Sequence, residues 1–379
     1  MKFFHLSDLH LGKIVHEFSM IPDQEHILGE ILNLARSERP DAVLIAGDVF
    51  DRSVAPAEAL RLLDSFLVAL SGMGIRVFMI AGNHDSADRL SFAAQLISSA
   101  GIHIAPAFDG SVTRHTLTDE YGEVDIFLLP FIRPVMVKKA FEEEEIDNWT
   151  DAVRVALSQA QRAQGRRSVL LAHQFVTGGE TCESEEFSVG GADNVDAAAF
   201  AGFDYVALGH LHGPQQMGLP QLRYCGSPLK YSFSEVKHNK SLTVVELKEP
   251  GNIDIRQLPL TPLRDFKELC GNYEQVSSKA FYDALKRDDY LRITLTDEED
   301  QPGAMQKLRV IYPHLMSLRY DNKRTQKEGD LSLPAGGLDA LGPLDLFEKL
   351  FEDQNGQPLS QAQRDYVAGL IDAIREDAR

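Results

Sequence analysis

The chain has 379 residues, 44% of them hydrophobic and 25% charged, with a formal net charge of −19. At about 150 residues per domain this length predicts two or three domains with their own cores, and the composition excludes a disordered or fibrous chain. No run nears the ~18 apolar residues of a membrane span, no apolar leader precedes His5, and Cys182, Cys225 and Cys270 are too scattered for a disulfide framework or zinc knuckle, so a reducing cytoplasm is expected.

Residues 1–260 alternate strands with helices. Five short apolar runs, at 2–6, 42–46, 77–81, 168–172 and 205–209, have the length and the β-branched or aromatic content of strands buried on both faces. Helical spacing puts Ile27, Ile31 and Leu34 on one face of residues 24–36, and Leu60, Leu63 and Leu67 on one face of 56–70. Residues 148–164 form a third helix candidate. Segments 222–225, 241–247 and 253–258 read as further strands. The class is α/β with a mixed sheet, arranged as two sheets with helices outside.

Near Pro259-Leu260-Thr261-Pro262 the pattern changes. Residues 262–327 hold a strand at 290–296, a helix around 303–310 and a strand at 315–320, which predicts a small separate α+β domain. Its 12 basic and 11 acidic residues make it the one block that is not clearly acidic. Residues 328–342 suit a linker. Over 343–379 two helices are expected. The first carries Leu344, Phe347, Leu350 and Phe351. Ser360 and Gln363 make a capping box for the second, which Tyr366, Val367, Leu370, Ile371 and Ile374 stripe.

Each of the five apolar runs ends in a polar cluster. These are Ser7-Asp8-Leu9-His10, Gly47-Asp48-Val49-Phe50-Asp51, Gly82-Asn83-His84-Asp85, His173-Gln174 and His210-Leu211-His212. In open α/β sheets the carboxyl ends of the strands are where ligands bind. One such cluster alone reads as a turn or a satisfied core histidine. Five together do not, because burying unpaired polar groups costs several kcal/mol each. Metal ions satisfy them jointly. Carboxylate, imidazole and amide oxygen without thiolate suit manganese, iron or zinc. The number of candidates fits two ions sharing a carboxylate, the arrangement that clamps both oxygens of an in-line displacement at phosphorus. Two divalent ions against Asp8, Asp48 and a bridging hydroxide leave the centre weakly cationic, so an acidic protein can still hold a phosphodiester there.

The order DxH, GDxxD, GNHD, a lone His and GHxH resembles the calcineurin-like metallophosphoesterase superfamily. Residues 7–12, 46–51, 81–85 and 226–235, together with the C-terminal helices, are similar to the family of nuclease subunits of bacterial SbcCD complexes. The resemblance implies a four-layer αββα sandwich over 1–260, a small α+β capping domain over 262–327 that touches the DNA backbone, and a helical pair over 343–379 that docks the coiled-coil base of an SbcC-like ATPase. It assigns Asp8, His10, Asp48 and His212 to a first ion, and Asp48, Asn83, His173 and His210 to a second, both manganese. His84 would face the scissile phosphate and help protonate the leaving oxygen, and Asp51 would orient His84, its carboxylate raising the imidazole's pKa. Asp85 would be a supporting hydrogen-bond acceptor. The phosphate-contact candidates are Lys286, Arg287, Arg292, Lys307, Arg309, Lys323 and Arg324, each of which also reads as ordinary solvated surface.

The function implied is a DNA nuclease of repair and recombination. It would be an exonuclease on duplex ends and an endonuclease on single strands and hairpins, at the nucleoid, as a homodimer formed through segments within 56–100. Cleavage without sequence preference is expected, since nothing here looks like a base-reading element. The alternative within the superfamily is a small-molecule or cyclic-nucleotide phosphodiesterase. A binding subunit with a dead site is opposed by the intact ligand set.

Overall fold

The five apolar runs are strands, and they are divided between two sheets. The computed structural model describes residues 1–163, 165–185, 193–323, 325, 342–355 and 358–377. In chain order the strands of residues 1–260 are β1 (Lys2–Leu6), β2 (Ala42–Ala46), β3 (Arg76–Ile80), β4 (Ile102–Ile104), β5 (Thr113–Asp119), β6 (Gly122–Leu129), β7 (Arg167–His173), β8 (Tyr205–Gly209), β9 (Gln215–Met217), β10 (Leu219–Tyr224), β11 (Ser241–Leu247) and β12 (Ile253–Pro259), beside a short ribbon within 14–19. The first sheet runs β12-β11-β1-β2-β3-β4 and the second β9-β10-β8-β7-β6-β5. β1, β2, β3 and β4 are mutually parallel, as are β6, β7, β8 and β10. Parallel central strands carry their ligand-bearing ends in one direction.

The alternation of side chains along each strand sorts the apolar residues into layers. Phe3, Leu44, Phe78 and Ile80 of the first sheet meet Ile126, Leu128, Val169, Leu171 and Tyr205 of the second in one buried layer. The intervening Phe127, Leu129, Leu170, Ala172, Val206 and Leu208 face outward onto Ala152, Val153 and Ala156 of the helix Trp149–Ser158. On the other side, Ala57–Gly72 lies against β3, and Ile21–Glu38 lies against Ala57–Gly72. The result is the αββα order of layers. One polar contact crosses the apolar centre. His5 of β1 accepts from the Tyr205 hydroxyl at 2.8 Å through Nδ1 and donates to the Leu208 carbonyl at 3.1 Å through Nε2. Burial pushes this imidazole down to about 3, so it stays neutral.

Several segments depart from the sequence pattern: β4, β6, β9 and the strand Phe266–Gly271 were not expected, and two further departures have a plain physical reason. β5 is an antiparallel edge strand paired with β6, largely exposed, and its Thr-Arg-His-Thr-Leu-Thr-Asp composition hides it. The helix expected over 148–164 ends at Ser158, and Arg162 instead lies over the Phe203 ring, 4.8 Å from its centroid.

The chain divides into two compact units, Met1–Phe266 and Lys267–Arg379. The segment after Pro262 stays with the first unit because Arg264 pairs with fully buried Asp23 at 2.9 Å, Lys230 pairs with Asp265 at 2.9 Å, and Phe266 packs on Phe233. In the second unit the strands β13 (Phe266–Gly271), β14 (Tyr290–Leu295) and β15 (Leu315–Tyr320) form one sheet, packed with Leu308 and Tyr312 around Leu291, Ile293 and Leu295. Two helices follow, Pro343–Asn355 and Gln361–Asp377. Ser360 and Gln363 exchange hydrogen bonds as a capping box, with the Ser360 N–H donating to Gln363 Oε1 at 3.0 Å. Residues 328–341 of the expected linker, and Arg324, lie outside the described residues, as does the Ile374 side chain. No helix among the described residues is long and apolar enough to cross a membrane.

Candidate metal centre

The loops after β1 and β2 run side by side. Asp8 N–H donates to Gly47 O at 3.0 Å, and His10 N–H donates to Asp48 O at 2.9 Å. Asp8, His10 and Asp48 all take left-handed backbone, with φ of 53°, 44° and 48°, and His210 has φ of 115°. Each costs on the order of 1–3 kcal/mol, held by surrounding contacts. The second sheet is tied to the first here, because the His210 N–H donates to both oxygens of Asp8 at 3.1 and 3.2 Å. Asp85 joins the loops after β2 and β3 by accepting from the Val49, Phe50 and Gly82 N–H groups at 2.9–3.0 Å. Burial lifts its carboxyl to about 6.

Close approach fixes glycine at two of these loops. A Cβ at Gly209 would stand 1.9 Å from Ala46 O, and one at Gly82 would stand 2.1 Å from Asp48 Oδ1. Gly82→Ala should therefore displace the Asp48 carboxylate, lower stability by about 1–3 kcal/mol and weaken divalent-cation binding. Thermal unfolding and manganese titration of the same variant check both effects, and unchanged binding would show that Asp48 tolerates the shift.

Seven side chains converge past these strand ends. Asp8, His10, Asp48, His173, His210 and His212 are buried, and Asn83 is half-buried. The potential ligand atoms of Asp8, His10 and His212 lie within 4.8 Å of one another, as do those of Asp8, Asp48 and His173. Asp48 Oδ2 sits 3.7 Å from His10 Nε2 and 3.4 Å from His173 Nε2, between the two groups. Asn83 Oδ1 lies 3.0 Å from His173 Nε2 and 3.1 Å from His210 Nδ1. His173 Nδ1 donates to Ala46 O at 2.8 Å, which turns its Nε2 toward the cluster.

The electrostatics fit bound cations. His10 Nε2 and His212 Nε2 face each other at 3.1 Å, so their lone pairs need a proton or a metal between them. Burial pushes His10 well below its ordinary value and His210 down to about 3. Burial also opposes a charge on His173 and His212. For His173 the Asp48 carboxylate outweighs it and lifts the imidazole to about 9. For His212 hydrogen bonding to Cys182 and Glu235 outweighs it and lifts the imidazole to about 10. Asp8 is pushed up by burial, while Asp48, though burial opposes it, is held well below the usual carboxylate range by His173 and its neighbours. The protein's own protons thus balance the two carboxylates unevenly. Divalent cations would replace those protons and engage every inward-facing atom.

His84 stands at the rim. Its side chain is 13% exposed against 0–3% for the neighbouring His10, Asp48 and His173 side chains, and its Nε2 lies 3.9 Å from Asp48 Oδ2. Its Nδ1 donates to the Asp51 main-chain carbonyl at 3.0 Å. The expected carboxylate contact is thus corrected: Asp51 holds His84 through its backbone. The Asp51 carboxylate accepts from Lys13 Nζ at 2.7 Å and faces His10 Nδ1 at 3.8 Å, because the Lys13 ammonium is the nearer charge.

In the second unit, Lys307 and Lys323 are exposed, Lys286 pairs with Asp289 at 3.2 Å, Arg287 lies over Tyr282, and Arg309 donates to Leu315 O. Arg292 is corrected: it is buried on the central strand and paired with Glu268 at 3.1 Å, so it serves the fold of its own unit. Two supporting residues were missed. Gln24 donates to His10 O at 2.7 Å from the helix Ile21–Glu38, and Glu235 reaches the outer side of His212. A polar residue at an apolar position of a helix was the only local signal for the first.

Comparison with known proteins agrees with this geometry. The model of the family described as calcineurin-like phosphoesterase matches residues 1–214, and the one described as type 5 capsule protein repressor C-terminal domain matches residues 262–355. The chain is 31% identical to the SbcD subunit of the SbcCD nuclease of Staphylococcus saprophyticus, over 100% of this chain and 99% of the relative. It is 29% identical to the corresponding protein of Staphylococcus epidermidis, over 99% of both. A solved dimetal phosphatase from Danio rerio is similar over 69% of this chain and 98% of its own, at 11% identity and a TM-score of 0.43.

Proposed function

Because the chain belongs to the calcineurin-like phosphoesterases and, within them, to the SbcD family of nuclease subunits, we propose that it is a metal-dependent DNA nuclease subunit. The observation that carries this reading is the convergence of Asp8, His10, Asp48, Asn83, His173, His210 and His212 on one buried locus with His84 at its rim. Asp8, His10, Asp48 and His212 would hold one ion, and Asp48, Asn83, His173 and His210 the other; the donor set suits manganese, iron or zinc, and manganese is the metal that the family resemblance implies. Bound there, divalent cations polarise the phosphodiester and acidify water. His84 then supplies what the buried ligands cannot. The Asp51 carbonyl fixes its Nδ1–H, so Nε2 is the atom that hands a proton to the leaving oxygen as the P–O bond breaks.

The wider assignment follows from the appended parts. Exposed Lys307 and Lys323 support backbone contact by the second unit, without base reading. The helical pair leaves a groove of about 500 Å³ lined by Phe347, Phe351, Tyr366, Val367, Leu370 and Ile371, which supports docking of an SbcC-like ATPase. Exposed Phe92 and Leu96, 83% and 78% accessible, support a homodimer through residues 56–100. Exonuclease action on duplex ends and endonuclease action on hairpins and single strands would follow.

Labelled hairpin and single-stranded DNA incubated with manganese tests the reading beside His84→Ala. Cleavage should fall by about 10²–10⁴-fold in the variant, with both ions still bound. Hydrolysis of a small phosphodiester while DNA stays intact, even with an ATPase partner added, would move the reading to a small-molecule phosphodiesterase.

A further inference from the structure

His212 is flanked on the side away from the other ligands by a ring of polar groups, Glu235 and Lys240 buried and Ser184 half-buried. Its Nδ1 lies 2.8 Å from Ser184 Oγ, and that hydroxyl donates to Glu235 Oε1 at 2.6 Å. Glu235 is fully buried, and Oε1 also accepts from the Tyr231 N–H at 3.0 Å and the Ser232 hydroxyl at 3.1 Å. Its other oxygen accepts from Lys240 Nζ at 2.6 Å. Lys240 is itself only 7% exposed, and its remaining two protons go to Ser227 Oγ and to the His212 main-chain carbonyl, both at 2.8 Å. The path therefore leaves His212 by its ring and returns to it by its backbone.

A plain core would not need this ring. A buried lysine and glutamate are expensive to desolvate, and an apolar pair of similar volume is often as stable. What the ring does accomplish is to keep a hydrogen on Nδ1. Ser184 Oγ has committed its proton to Glu235, so it can only accept from His212. Nδ1 must then carry hydrogen in either protonation state, and Nε2, which faces His10, is the ring atom left to give up its proton to a cation. The Lys240 bond to the His212 carbonyl fixes the backbone from which the ring swings.

We infer that Ser184, Glu235 and Lys240 form a positioning relay that holds the Nδ1–H of His212, aims its Nε2 inward and so prepares one of the two cation sites. The inference rests on the metal reading above. Partners of this kind are worth about 10–100-fold in metal affinity.

The test compares full-length wild type, Ser184→Ala and Glu235→Gln, each by manganese titration with electron paramagnetic resonance and by ¹⁵N NMR of the histidine rings before manganese is added. Glu235→Gln leaves Lys240 without its counter-charge and can fail to fold. Ser184→Ala keeps the Lys240–Glu235 pair and removes only the hydroxyl link. Ser184→Ala should keep the wild-type melting temperature, lose about 10–100-fold in affinity for one ion and not the other, and move the His212 Nδ1 resonance away from its wild-type position. Wild-type affinity at both sites with an unchanged His212 spectrum in Ser184→Ala would overturn the relay. Failure of the wild type itself to bind two ions would overturn the metal reading, and the relay with it.

Discussion

Asp48→Asn removes the carboxylate shared by both halves of the cluster, and it should cost at least about 10³-fold in phosphodiester cleavage. Asp48 lies 3.4 Å from His173 and 3.7 Å from His10, and its Oδ1 accepts the His84 N–H at 2.9 Å. An asparagine oriented with its oxygen toward His84 keeps that last hydrogen bond and the side-chain volume. It cannot keep the charge against which two cations are held. The fold should therefore survive while manganese stoichiometry drops from two to at most one. Calorimetric titration and a single-turnover assay of the same preparation decide the point. Two bound ions at wild-type affinity, with wild-type rate, would remove Asp48 from the role of bridge.

Asp119→Ala should be strongly destabilising while leaving the cluster untouched, at about 3–5 kcal/mol. Arg167 is 1% exposed, and both terminal nitrogens of its guanidinium are engaged. It pairs with both oxygens of Asp119 and donates to the carbonyls of Gly122, Leu247 and Lys248 at 2.8–3.0 Å, closing the turn between β5 and β6 against the end of β11. Removing the carboxylate leaves a buried cation whose carbonyl partners do not neutralise it. Burial opposes ionisation of Asp119, but Arg167 outweighs it and holds the carboxyl well below the usual range. A depressed carboxylate stabilises the fold above its unfolded value near 3.9, and that contribution fades as pH falls toward the folded value. Urea unfolding should thus separate wild type and variant widely at pH 7 and less at pH 3. Arg167→Met, which removes the charge with the need for its partner, should cost less. Equal stability of Asp119→Ala and wild type at pH 7 would contradict the argument.

Five of the buried parallel strands were legible as short apolar runs, whereas β6, buried over Val124–Leu129 and parallel to β7, was not. The runs at 2–6, 42–46 and 205–209 coincide with β1, β2 and β8, and the polar tips followed directly from where those runs stop. β5 was illegible because an edge strand facing water need not be apolar. The ligand set could be named but not arranged. No local pattern says that the tips at 8, 48 and 83 ride on one sheet while those at 173, 210 and 212 ride on another. Asp51 shows the same limit at the scale of one residue. The resemblance placed it beside His84, yet which of its oxygens does the work depended on Lys13, thirty-eight positions away. Glu235 and Lys240 were beyond reach for the same reason: their common partner, His212, lies in a loop with no sequence relation to them.

The division of the ligands between two stacked sheets turns the chain into a caliper. Asp8, Asp48 and Asn83 are one jaw and His173, His210 and His212 the other, while the gap is set by the apolar layer of Phe3, Leu44, Phe78, Val169, Leu171 and Tyr205. Packed interiors yield little and transmit a change of even one methylene. On the metal reading, cation affinity would therefore be set by that distant layer as well as by the side chains of the cluster. Core substitutions that no catalytic scan would include, such as Leu171→Ala, become adjustments of the jaw spacing.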